Sequence, residues 1–311
     1  MKRRDFMKLS AATALGATVA AMAPSALAAT ELDQTNGDLH TTVDRKTAAM
    51  GLGDGKTFAY DPENPYLNVN VGLFHDAQVM VGGQNVGAAT YYLPDGMDPW
   101  APAVIVLTPD NTTARAFSGS VTGRMWRTVA CKNKIAVAFF GPENGGSWNL
   151  SLSSAGRDDA TALDALYQLM RKKGVKLSGA FSMDKSHTAL VGYKEGGAAA
   201  LLFGARWASD FSSICAVDAV EVPAASLEAV GGEYVLPFPG DSTRGVQEEA
   251  IAAKTVDTPV WFVRSKADTA NKAALDFYLN ANQAVSKGNG VYVSSRTGSA
   301  AEVWVLSLIH I

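Results

Sequence analysis

The stretch Ser186-His-Thr-Ala-Leu-Val-Gly-Tyr-Lys-Glu-Gly-Gly-Ala-Ala-Ala200 decides how this chain folds. Its first half is short and apolar, which is typical of a strand that is buried on both faces. Its second half is rich in glycine and alanine and predicts a helix that begins directly after the strand. Gly192 and Gly196 flank the junction, because a strained turn that packs a strand against a helix leaves no room for side chains. The stretch therefore predicts a sharp strand-to-helix turn with Lys194 at its centre.

Short apolar runs and helical patterns alternate on both sides of this turn. The predicted strands are Val79–Val81, Ala88–Leu93, Pro102–Leu107, Ile135–Phe140, Thr188–Val191, Ile214–Val217, Val260–Val263, Val291–Val293 and Val303–Val305. Helical spacing covers residues 158–173, 197–207 and 270–285. This alternation predicts an α/β fold, with a mostly parallel sheet covered by helices on both faces.

Composition excludes several classes of protein. With 311 residues, 47% of them hydrophobic, the chain is long and apolar enough for one large core. The formal net charge is −3, and no basic cluster follows the first eight residues, which argues against a nucleic-acid partner. Two cysteines exclude a disulfide scaffold. No His, Cys or Asp cluster has ligand spacing, so neither a metal nor another cofactor is predicted.

The first 28 residues have the three regions of an export signal. A basic start is followed by a small-residue apolar stretch and by Ala26 and Ala28 in an A-x-A cleavage site. Arg3-Arg4-Asp5-Phe6-Met7-Lys8 resembles the twin-arginine signal, which implies export of folded protein by the twin-arginine machinery. We expect cleavage after Ala28 and a periplasmic or secreted location. The apolar stretch is too short and alanine-rich for a stable membrane span.

The remaining sequence divides into unequal parts. Residues 29–75 are polar and rich in turn residues and predict an extended lead-in, whereas residues 76–305 form the folded domain. Within that domain, residues 219–258 are a Gly- and Pro-punctuated insertion, which is either a lid or an ordinary surface excursion. Residues 306–311 match the translated end of a transposase sequencing adapter. We interpret them as an artefact, expect the gene to be truncated near Val305, and set His310 aside.

Four motifs together resemble the α/β-hydrolase superfamily, and most of all exported polyhydroxybutyrate-depolymerase and feruloyl-esterase-type hydrolases. They are the Gly-flanked turn, W-R-T-V-A at 126–130, G-S-W-N at 146–149 and P-V-W-F-V-R-S-K-A-D at 259–268. The resemblance covers roughly residues 79–285 and implies an α/β-hydrolase fold. It also implies a serine nucleophile at position 194, a triad acid at Asp268 and an oxyanion-hole donor in the backbone N–H of Glu195.

The chain departs from that pattern at three points. Position 194 is lysine, whose side chain is protonated at neutral pH, and an ammonium is not a nucleophile. No usable histidine follows Asp268, although the superfamily has the chain order nucleophile, acid, histidine. In the oxyanion loop, Pro109 has no N–H, and Asp110 brings a negative side chain close to where negative charge would develop.

These departures predict a hydrolase scaffold without hydrolase chemistry. A buried ammonium at the turn needs a counter-charge, so we expect Lys194 to pair with Asp268 or Asp110. We expect Tyr193 and Trp148 to line a pocket, and Tyr234 and Phe238 of the insertion to wall it.

Two functions stay open from the sequence. The first is an exported non-catalytic binding or interaction protein for a small-molecule or polymeric ester- or glycan-like ligand. The second is an active carboxylic-ester hydrolase that uses unrecognised groups or residues lost by truncation. A weaker third reading is imine chemistry at Lys194, which would need a neutral amine.

Overall fold

Ten strands form one mixed sheet in the computed structural model, which describes residues 72–81, 84–94, 101–173, 187–206, 211–232, 258–264, 271–295 and 302–307. The strands are β1 (Gly72–Val81), β2 (Gln84–Leu93), β3 (Ala103–Leu107), β4 (Ala136–Phe140), β5 (Thr188–Tyr193), β6 (Ser213–Val217), β7 (Val260–Arg264), β8 (Ala284–Gly288), β9 (Val291–Ser294) and β10 (Glu302–Ser307). The helices are α1 (Ala114–Gly119), α2 (Val121–Asn133), α3 (Asp159–Lys173), α4 (Glu195–Arg206), α5 (Ala224–Gly232) and α6 (Lys272–Ala281). The predicted export signal, Tyr234, Phe238, Asp268 and His310 lie outside the described residues.

The order of the strands across the sheet is β1-β2-β4-β3-β5-β6-β7-β10-β9-β8. The six central strands, from β4 to β10, run parallel to one another. The β1–β2 hairpin and the β8–β9 hairpin continue the sheet with antiparallel pairs at its two ends. The mostly parallel sheet predicted from the sequence is confirmed. The carboxyl ends of β3, β5, β6 and β7 therefore meet at one edge.

Helices cover both faces of the sheet and create two hydrophobic layers. In β3, the side chains of Ala103, Ile105 and Leu107 pack in the layer that includes α3, α4, α5 and α6. Val104 and Val106 point to the opposite layer, which α1 and α2 cover. All five residues are buried, which explains why this strand is a continuous apolar run in the sequence.

Short polar side chains start three of the helices. The hydroxyl of Thr113 accepts the N–H of Ala116 at the start of α1, at 3.1 Å. Ser120 does the same for α2, and Asp158 accepts the N–H of Thr161 at the start of α3, at 3.0 Å. Such caps satisfy N–H groups that have no partner within the helix. They fix the register of helices whose apolar sides pack on the sheet.

The predicted helix over 270–285 is too long, and its end is corrected by the structure. Helix α6 ends at Ala281, and Gln283 has a left-handed φ of 48° that turns the chain out of the helix. The next residues form β8, which pairs with β9 through a turn where Gly288, Asn289 and Gly290 all have positive φ. A short apolar run such as Ala284-Val285 fits a helix or a strand equally well, and the pairing with β9 decides.

The two cysteines differ in their surroundings, which predicts different reactivity. Cys215 is buried in β6, and burial raises the pKa of its thiol to about 12. Since the thiolate is the reactive form, Cys215 is inert near neutral pH. Cys131 in α2 is only partly buried. We expect an aromatic disulfide reagent at pH 8 to modify one thiol per folded chain and two in denaturant. Two equally fast thiols in the native protein would contradict the buried position of Cys215.

Candidate functional site

Lys194 occupies the bend between β5 and α4. Its φ is 52°, in the left-handed region that residues other than glycine rarely adopt. The backbone is held on both sides, because Lys194 donates its N–H to Val217 O at 2.9 Å and its carbonyl accepts the N–H of Ala198 at 3.1 Å. A non-glycine residue in this conformation costs on the order of 1–3 kcal/mol and is common at functional sites. The structure thus places Lys194 at the strained position of a strand-to-helix elbow.

The two glycines of the elbow are required by close backbone contacts. A Cβ on Gly192 would lie 1.9 Å from the carbonyl oxygen of Gly196. A Cβ on Gly196 would lie 2.4 Å from the carbonyl oxygen of Thr108, at the end of β3. The first turn of α4 is therefore pressed against both β5 and the loop that follows β3. No larger residue fits at either position without moving backbone.

The Lys194 side chain is exposed, which corrects the expectation of a buried ammonium. The position is not enclosed on all sides: Tyr193 is buried and Glu195 is half-buried, whereas the side chain of Lys194 between them reaches solvent. Within the described part of the chain, no ion pair joins Lys194 to Asp110. Asp268 lies among the residues that are not described, so pairing with it stays a prediction. An exposed ammonium needs no counter-charge, since water solvates it.

Asp110 and Glu195, the two residues for which the resemblance implies an oxyanion-hole environment, contact each other. The backbone N–H of Asp110 donates to Oε2 of Glu195 at 3.3 Å. The Asp110 carboxylate is turned the other way, and its Oδ1 accepts the N–H of Trp148 at 2.9 Å. The carboxylate that accepts the loop amide is thus that of Glu195, for which the sequence predicted a role only for the backbone N–H.

Neither histidine in the described ranges can act as a base at the elbow. His187 precedes β5, at the opposite end of that strand, roughly 20 Å from Lys194 by the rise of an extended chain. His75 lies on β1, four strands away across the sheet, with its Nδ1 3.4 Å from the hydroxyl of Thr90. A nucleophile–base pair requires hydrogen-bond reach, which neither residue has.

The two aromatic side chains expected in a pocket lie in the hydrophobic layers. Tyr193 is 8% exposed, and its hydroxyl accepts the indole N–H of Trp126 at 2.9 Å. Trp148 is 5% exposed, and its indole N–H donates to Thr108 O at 2.8 Å. Tyr193 therefore packs in the core next to the elbow, and Trp148 packs against the loop after β3. A pocket role for the two rings stays a prediction.

A buried ion pair near Trp148 was not anticipated from the sequence. Arg157 contacts the carboxylate of Asp159, and both side chains are more than nine-tenths buried. The guanidinium also donates to Val86 O at 2.8 Å and to Gly141 O at 3.1 Å, and it lies over the ring of Phe140. The W-N pair at 148–149 is the nearest sequence feature to this ion pair, because Asp159 accepts the N–H of Asn149. The carbonyl acceptors of Arg157, in Val86 and Gly141, are too distant in the sequence to have been predicted.

The described residues contain neither a cluster of metal ligands nor a helix that could span a membrane. No group of three or more His, Cys, Asp or Glu side chains in these ranges is arranged to hold a metal ion. None of the described helices has both the length and the hydropathy that crossing a bilayer requires.

Comparison with solved structures identifies the architecture. Acetyl xylan esterase from Aspergillus awamori superposes with a TM-score of 0.50 at 11% identity, covering 76% of this chain and 92% of that chain. Esterase B from Lactobacillus rhamnosis gives a TM-score of 0.44 at 13% identity, with coverages of 92% and 87%. A Staphylococcus aureus fluorophosphonate-binding serine hydrolase, FphF, gives 0.42 at 14% identity, with coverages of 67% and 84%.

The sequence comparisons add nothing to this likeness. No protein-family model matches the chain, and no curated protein matches it. At 11% identity the first structural match carries the fold alone and not the activity. The mixed, mostly parallel sheet, the helices on both of its faces and this match agree, and the chain has an α/β-hydrolase fold.

Proposed function

We propose that this chain is an exported, non-catalytic binding protein built on an α/β-hydrolase fold. The observation that carries the proposal is Lys194, with its left-handed backbone and exposed side chain, at the bend between β5 and α4. A serine at that position can lose its proton, attack a carbonyl and leave again. A solvated ammonium cannot attack, and an amine that did attack an ester would leave a stable amide after one event.

The surroundings of Lys194 support the same conclusion. Acyl transfer requires N–H donors aimed at the oxygen on which negative charge develops. Here the N–H of Asp110, in the predicted oxyanion loop, already donates to the Glu195 carboxylate. A carboxylate at this place also repels a developing oxyanion. The histidines of the described ranges, His75 and His187, are too far away to serve as a base.

The ligand class is proposed from the fold and from the site. One structural neighbour, with a TM-score of 0.50, is an acetyl xylan esterase. For this chain we propose a small-molecule or polymeric ester- or glycan-like ligand that contacts the elbow without being cleaved. The export signal at residues 1–28 supports a ligand in the periplasm or outside the cell.

The test is an ester turnover assay with an elbow variant. We expect neither the purified protein nor Lys194→Ala to turn over p-nitrophenyl butyrate, with at most one equivalent of p-nitrophenol released above the spontaneous background. We also expect no labelling by a fluorophosphonate probe, because such probes need an activated serine. A ligand of the site should still raise the thermal midpoint, by the equivalent of about 2.7 kcal/mol at 100 times its Kd.

The alternative function makes the opposite prediction. Multiple turnovers that persist in Lys194→Ala and disappear in Asp268→Ala would identify an active carboxylic-ester hydrolase that uses other groups. Multiple turnovers lost in Lys194→Ala would point to chemistry at the amine itself. Either result would overturn the non-catalytic proposal.

A further inference from the structure

In the first four residues of the loop after β3, a single backbone N–H is not accepted by a backbone oxygen. Within residues 108–111, Thr108 and Asn111 donate theirs to backbone carbonyls, at 3.0 and 2.7 Å, and Pro109 has none. Asp110 donates instead to Oε2 of Glu195. The Asp110 amide is therefore the one donor of this segment that is directed at the elbow.

Two contacts hold this amide in place. Trp148 donates its backbone N–H to the Asp110 carboxylate and its indole N–H to Thr108 O, at 2.9 and 2.8 Å, which fixes the loop. On the other side, Gly196 brings the first turn of α4 against the same loop, since a Cβ there would lie 2.4 Å from Thr108 O. The close backbone packing thus holds Glu195 next to the fixed N–H of Asp110.

We propose that Glu195 is a specificity-determining residue, which keeps small oxyanions and ester carbonyl oxygens from the Asp110 amide. The inference rests on the proposed function in one respect, because both place the ligand at the elbow. The half-buried Glu195 carboxylate acts as an internal ligand, and it occupies the place that the oxygen of an external acceptor would take.

Charge and geometry together explain why this occupant is effective. The carboxylate lies in the first turn of α4, where the helix dipole favours a negative group. An external anion would have to displace a group that is attached to the same helix, and it would approach a like charge. At 3.3 Å the bond is longer than an ordinary N–H···O contact, so the exclusion depends on the negative charge and on its attachment to the helix rather than on the strength of the bond. Removal of the carboxylate would leave a fixed amide beside a helix N-terminus, an arrangement that binds oxyanions.

The experiment follows the Asp110 amide directly. TROSY spectra of 15N-labelled protein are recorded during titration with methylphosphonate at constant ionic strength, with chloride as the reference anion. In Glu195→Ala we expect a saturable shift of the Asp110 resonance at millimolar methylphosphonate. In the wild-type protein we expect less than a tenth of that shift over the same range. Glu195→Gln, which keeps the shape without the charge, should fall between the two.

The matched control is Glu143→Ala, which removes an exposed acid from the same edge of the sheet, after β4. It should behave like the wild-type protein. Equal titration of the Asp110 amide in wild type and Glu195→Ala, or no titration in either, would overturn the inference. If Glu195→Ala loses its native spectrum, Glu195→Gln carries the comparison. Ester turnover by the wild-type protein would defeat the proposed function but would leave this titration unchanged, so the two failures are distinguishable.

Discussion

Gly192→Ala is expected to lose more than about 4 kcal/mol of unfolding free energy, or to yield no folded protein. The added Cβ would lie 1.9 Å from the carbonyl oxygen of Gly196 and 2.7 Å from the N of Gly197. All of these atoms are backbone, so no side chain can turn away to make room. The backbone itself is held by the hydrogen bond from Lys194 to Val217, which ties the elbow to β6. Urea denaturation followed by circular dichroism measures the loss.

The control for this prediction is Gly119→Ala at the end of α1. A Cβ there meets nothing within 4 Å, and this glycine is not among those with positive φ. Because alanine restricts the unfolded chain, we expect no loss and a gain of up to about 1 kcal/mol. If Gly192→Ala and Gly119→Ala denature at the same urea concentration, the close packing of β5 against α4 is wrong.

The elbow could be predicted from the sequence because the information is local. The glycines lie four residues apart, directly after an apolar run, and their spacing encodes a backbone contact between adjacent elements. The parallel strands were predictable for a similar reason. Strands buried on both faces are continuous apolar runs, and β3, β4 and β5 each have that form. The class of fold thus follows from patterns shorter than ten residues.

The side-chain geometry of the site could not be predicted in this way. The contact between Asp110 and Glu195 joins residues 85 positions apart, and it exists only because β3 and β5 are neighbours in the sheet. The exposure of Lys194 depends on which elements pack around the bend, which residue identity alone does not specify. The prediction of a buried ammonium assumed that other residues enclose the Lys194 side chain on all sides, whereas this side chain is exposed. Sequence patterns therefore predicted the strand-to-helix elbow, while the contact between Asp110 and Glu195 depends on long-range packing.

Asp159→Asn is expected to destabilise the fold by about 3–5 kcal/mol, because it leaves the buried guanidinium of Arg157 without its charged partner. Burial raises the pKa of Asp159 despite the charge of Arg157, so neutralising the carboxylate relieves its own desolvation cost, and the expected loss comes from the guanidinium that is left buried without a charged partner. The pair also connects elements of the site. Arg157 donates to Gly141 O after β4, and Asp159 accepts the N–H of Asn149 at 2.6 Å. Chemical denaturation gives the free-energy loss.

The adjacent residue supplies an isosteric control. Asp158 is 57% exposed, its pairing with Arg206 is at 3.8 Å, and an asparagine there keeps the cap on the N–H of Thr161. Asp158→Asn should therefore change stability by less than about 1 kcal/mol. A double-mutant cycle of Arg157→Met with Asp159→Asn isolates the pair, because two groups that depend on each other lose less together than the sum of their single losses. Additive losses would show that Asp159 acts through its bond to Asn149 and that the buried charge of Arg157 is tolerated alone.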